Sequence, residues 1–159
     1  MKDAVLRALH TIAAGGWLGA AAITGFVVAP HSFAAFPTRV AAGEFVGGVL
    51  HFVDAFAIVV GGIVVVVATL EGGGFQRVRI GLGVGLASVG VVSLGLAHHI
   101  ATLREQLGPI DALPPDSPGR KHFGMMHGIS VLIFLHGMLV ALAAIALESY
   151  DSSRKSVPG

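Results

Sequence analysis

Residues 8–38 contain not one Asp, Glu, Lys or Arg. Three further runs are almost as bare. Residues 45–70 carry only Asp54, and 80–103 and 123–147 carry no formal charge. A transmembrane helix needs about 20 mostly apolar residues, so these runs predict four spans, over residues 5–28, 45–70, 80–101 and 123–147. The valine run Val64-Val65-Val66-Val67 has the look of a strand. In lipid, however, only helices and closed barrels satisfy the backbone, and segments this long are not the roughly 10-residue alternating strands of a barrel. The fold expected is all-α, an integral membrane four-helix bundle. Composition agrees: 12% of residues are charged, about half the share usual in a soluble domain. A formal net charge of +1 gives no basic face for nucleic acid. The absence of cysteine excludes a disulfide scaffold, a thiolate metal site, an iron–sulfur cluster and a Cys nucleophile.

Residues 1–150 read as one four-span domain, followed by a short polar tail over 151–159. The first apolar run is too long for the 7–15 residues of a signal-peptide core, so it is expected to be retained as a span. Pro30 and Pro37 mark its exit as helix-ending or helix-kinking residues. With four spans, Lys2, Arg7, Arg77, Arg79, Arg154 and Lys155 share one side, against Arg39, Arg104, Arg120 and Lys121 on the other. That bias places both termini in the cytoplasm, in what is expected to be the cytoplasmic membrane of a bacterium. Pro109, Pro114, Pro115 and Pro118 make the third loop an extended connector.

Association of helices in lipid depends on close packing through small residues. Glycines four residues apart occur in or beside every span, as Gly15/Gly19, Gly43/Gly47, Gly81/Gly85 and Gly124/Gly128. These pairs are the expected close contacts, either within the bundle or with a second copy or a membrane-complex partner. No phosphate loop is present, since Gly72-Gly73-Gly74 lacks a following Lys-Ser or Lys-Thr. No catalytic motif is visible.

The chemistry-bearing feature is the set of eight histidines. Ionisable residues inside a span are costly and mark functional sites by default. Counting helix rise from the span ends sets up two constellations. One comprises His51, His98 or His99, and His127 near one end, with Asp54 three residues from His51 as a proton carrier or as the acceptor that orients the imidazole. The other pairs His10 with His136, from the first and last spans. Imidazoles in a dry bundle suit haem b, with His10, His51, His98, His127 and His136 as the candidate ligands. Copper is the alternative, with Met126 joining His51 and His127. Haem is preferred because the histidines come in opposed pairs, whereas the methionines are explained by packing.

Taken in order, Leu9-His10, Gly16-Trp17-Leu18-Gly19, Pro30 with Phe33 and Phe36-Pro37, Ala42-Gly43, Leu103-Arg104 and His127-Gly128-Ile129-Ser130 resemble the transmembrane protein 205-like family over about residues 4–148. That resemblance implies a small four-span membrane protein and no particular activity. His10 and His127 fall on its motif positions. The opening also looks like that of the membrane protoporphyrinogen oxidases, where the corresponding histidine is thought to hold haem, and like copper-resistance-D-type membrane domains. Three functions follow as expectations: a haem-binding redox protein, a small transporter or metal-handling protein, and a non-catalytic subunit of a membrane complex.

Overall fold

The computed structural model describes residues 2–73 and 75–155, and no strand occurs among them. Four helices are long and apolar enough to cross a membrane, and each contains one expected span: 4–35, 39–71, 76–107 and 118–151. The chain is an integral membrane protein built as a four-helix bundle, and the lipid bilayer is its surroundings. The last four residues of the tail lie outside the described residues. The preceding part continues the final helix rather than leaving it.

The first span is composite. Helix α1 (Lys2–Ile23) runs into a π-helical turn over Thr24–Val28 and then into α2 (Ala29–Ala35). Pro30 therefore does not end the span. A proline inside a helix has no N–H to donate and its ring clashes with the carbonyl four residues back. The widened turn just before it takes up that misfit. The chain leaves the helix at Phe36, which is extended with ψ 146°, as the residue before Pro37 must be. Thr38 then opens α3 (Arg39–Glu71), its hydroxyl accepting from the Ala41 N–H at 3.1 Å.

Helix α3 ends at Gly72, whose φ of +65° is the left-handed value a side chain resists. Helix α4 (Gln76–Leu107) starts four residues later, so the two are tightly antiparallel. Past Gly108 the connector makes one short turn at Ile110–Ala112 and is held to α5 (Pro118–Lys155) by Arg120, which donates to the Leu113 carbonyl at 2.9 Å. Each span packs on the next, and the first packs on the last. The core is a column of small and branched side chains around Trp17: Ala13, Ala14 and Ala21 of α1, Val53, Ala57, Val60 and Val64 of α3, Leu86 of α4, and Ala141 of α5.

The closest approach is between α3 and α4, and it runs through glycines other than the expected pairs. A methyl group at Gly61 would lie 2.5 Å from the Gly83 carbonyl oxygen, and one at Gly83 would lie 2.8 Å from the Gly61 oxygen. Two turns of the seam further on, a methyl at Gly90 would run into the Asp54 carbonyl oxygen. Gly137 of α5 makes room for the Trp17 ring. By contrast, Gly15, Gly19, Gly47, Gly81, Gly124 and Gly128 have open space where a side chain would go. Of the four expected pairs only Gly43, against the Arg104 side chain, and Gly85, against Val140, meet a neighbour, so the expectation that both members of each pair mark contacts inside the bundle is corrected here. In a chain with 23 glycines, what selects a contact is whether the facing helix also offers its backbone, and spacing on one helix does not record that.

Candidate functional site

The inward stripe of α1 is His10, Ala13, Ala14, Trp17, Ala21 and Thr24, the three-to-four-residue period of a helix face. Its small residues let α1 sit close to its neighbours and carry His10 wholly inside, at 0% exposure. There His10 meets the ends of the other three spans. Glu71 closes α3 and Arg79 lies in the first turn of α4, so the short turn between them brings a carboxylate and a guanidinium to the same end of the bundle. Glu148 and Asp151, on α5, reach the same place.

These side chains form one connected junction. The Arg79 Nη1–H donates to Glu71 Oε2 at 2.5 Å, and its Nη2–H donates to Glu148 Oε2. Asp151 Oδ2 is 3.7 Å from the same guanidinium, and Arg7 Nε is 3.8 Å from Glu71 Oε1. His10 Nδ1 stands 3.5 Å from Glu148 Oε2. Arg79 is 1% exposed and Glu148 2%. Taking ions out of water costs several kcal/mol each, and that cost is recovered only when every charge is well paired. Here the pairing is incomplete. Among the described residues, both ring nitrogens of His10, the Arg79 Nε, and one oxygen each of Glu71 and Glu148 have no hydrogen-bond partner. Among the contacts described, the Arg7 and Arg79 guanidiniums and the His10 imidazole stand with the Glu71, Glu148 and Asp151 carboxylates.

Asp54 occupies a second buried position, 5% exposed, on the α3 face that meets α4. The Ser93 side chain of α4 is the polar neighbour of its carboxyl. Next to it, Trp17 Nε1–H donates to the Val53 carbonyl at 2.8 Å, joining α1 to α3.

The other expected site residues lie on the outside of the bundle. His51, His98, His127 and His136 are all exposed. His51 sits edge-on to its neighbour Phe52 and does not pair with Asp54, which points inward instead. His127 stacks on Phe123 with ring centroids 6.4 Å apart. Met126 is half-buried. His10 and His136 are not brought together. Among the described residues, no group of three or more His, Asp or Glu side chains is placed to hold a metal ion.

Arg7, Glu71, Arg79 and Glu148 were not among the residues expected to form a site. Glu71, Arg79 and Glu148 stand immediately outside the boundaries drawn at 70, 80 and 147. The signal was legible: charges of opposite sign flank all four spans at the same end.

A bundle of this kind, four lipid-exposed helices closed at one end by a buried ionic junction, defines a polytopic membrane protein with a titratable interior. Residues 12–108 match a family described as a domain of unknown function, DUF4149, and the chain belongs to that family. The matched segment holds Trp17, Asp54, Glu71, Arg79 and Ser93, whereas Arg7, His10 and all of α5 fall outside it. No curated protein and no solved structure matches the chain.

Proposed function

We propose that this protein is a small proton-linked membrane carrier whose working centre is the junction of His10, Glu148, Arg79 and Glu71. The observation that carries the reading is His10. It is a fully buried imidazole 3.5 Å from a buried carboxylate, a pair placed to share one proton. Adding or removing that proton changes the electrostatic cost of keeping four helix ends together. Protonation and opening of that end are then coupled, which is the physical requirement for moving a solute against a proton gradient. The K/R bias of the loops puts this end in the cytoplasm, and a bacterial cytoplasmic membrane fits that orientation. The resemblance to the transmembrane protein 205-like family agrees with a small four-span protein and adds no substrate.

Haem b fits this chain poorly. A b-type haem buried in the bundle needs opposed imidazoles inside it, and of His10, His51, His98, His127 and His136 only His10 lies inside. Copper at His51, Met126 and His127 meets the same difficulty. An assembly role draws its support from the open glycines alone, among them Gly15, Gly19, Gly47, Gly81, Gly124 and Gly128.

The test is reconstitution of the full chain in vesicles carrying a pH-sensitive dye, with an imposed gradient. Proton movement that is lost in His10→Gln and Glu148→Gln, and retained in His136→Gln, is the expected result. Vesicles whose internal pH is unaffected by the wild-type protein would overturn the reading.

A further inference from the structure

A carboxyl group set into a helix bundle at the level of the hydrocarbon needs either a cation or a proton beside it. Asp54 has no cation. On its own helix, His51 and Glu44 are exposed and Glu71 belongs to the junction. From α1 it is met by the level of Trp17, whose one N–H is already given to the Val53 carbonyl. From α4 it is met by Ser93 and by the bare backbone of Gly90. His98 of α4 and His127 and His136 of α5 are exposed, while Arg79, Glu148 and Asp151 are committed to the junction. Among the described residues, no ion pair is made to Asp54. The seam is also too tight and too poor in oxygen ligands to offer a metal cation the six or more donors it prefers. The geometry points to Asp54 and Ser93 as a second proton-binding site, at which the carboxyl is held neutral and the Ser93 hydroxyl bonds one of its oxygens.

Asp54 precedes Glu71 by seventeen residues on one straight helix, which separates the two positions by about 25 Å. The hydrocarbon core is about 30 Å thick. The Asp54 site therefore serves the half of the membrane opposite the charged junction. If the protein carries protons as proposed above, Asp54 is the station at the far end. The site itself stands without that reading, because it rests on the burial and partners of Asp54 alone.

Infrared spectroscopy of the full chain in lipid vesicles tests it. The wild type is expected to show, at neutral pH, a protonated-carboxyl C=O band that Asp54→Asn removes and that His10→Gln and Glu148→Gln leave in place. Ser93→Ala, which takes away one hydrogen bond, is expected to move that same band to higher frequency, and this result decides the matter even if Asp54→Asn fails to fold. A spectrum in which neither Asp54→Asn nor Ser93→Ala alters any carboxyl band at neutral pH would overturn the proposal. So would loss of the band on adding sodium ions, since the site would then hold a cation. Failure of the vesicle flux experiment with this band intact would remove the carrier reading and leave the site.

Discussion

The bundle buries carboxylates in two places and treats them in opposite ways. At the junction, three acids share two guanidiniums and an imidazole, and every helix contributes. At Asp54, a single acid sits against a hydroxyl and two helix backbones, with no ion pair among the described residues. The junction tolerates charge because countercharges are at hand. It is polar enough to be partly unsatisfied, with both nitrogens of His10 left without hydrogen-bond partners. The Asp54 level is closed by packing instead, through Gly90 on the Asp54 backbone and Trp17 between α1 and α3. On the proposed reading, one region changes its charge state and the other holds a fixed one. The lesson is that burial alone does not decide what an intramembrane acid does. The partners within reach decide it.

That contrast can be broken most severely at Arg79. Arg79→Met takes the guanidinium away from Glu71 and Glu148, and removing one partner of a buried ion pair costs about 3–5 kcal/mol. Thermal unfolding in detergent should show the loss directly, and Glu148→Gln combined with Arg79→Met should recover part of it. Gly83→Val attacks the other region. Its added carbon meets the Gly61 carbonyl oxygen, and overpacking of this kind costs about 1–3 kcal/mol or more, while the corresponding change at the open Gly81 should be nearly silent. A smaller effect is expected for Trp17→Phe, which loses the bond to the Val53 carbonyl and about 0.5–1.5 kcal/mol with it. At the low end, His51→Ala and His127→Ala remove exposed rings and should shift stability by less than about 0.5 kcal/mol. A large loss at either would mean that the outer histidines have partners which a single chain does not supply.

Much of the fold could be read directly from the absence of charge. Each of the four spans lies inside one long helical segment because twenty or more residues with at most one charge admit few other solutions in lipid. What escaped that reading follows from the same rule. Taking a charge as the end of a span placed Glu71, Arg79 and Glu148 outside, when in fact the helices run on and the charges fold inward to meet one another. The histidines misled in the opposite direction. Depth along a helix can be counted from the sequence, but His51, His98, His127 and His136 needed the rotation of each helix as well, and rotation is set by the packing of the seam. The seam in turn depends on Gly61, Gly83, Gly90 and Gly137, which no single-helix spacing distinguishes from the other glycines. His10 and Asp54 were recognised as unusual from the outset. Their partners, Glu148 and Ser93, come from other helices and emerge only once the bundle is assembled.

The central claim is that His10 and Glu148 together hold one exchangeable proton. Nuclear magnetic resonance of ring-labelled histidine in the full chain, with the His10 signal assigned by its loss in His10→Gln, measures this directly. The His10 ring is expected to change protonation state as pH is varied, and Glu148→Gln to displace the midpoint of that change. A His10 ring that keeps one protonation state across the whole range in which the protein stays folded, or a midpoint that Glu148→Gln leaves where it was, would contradict it.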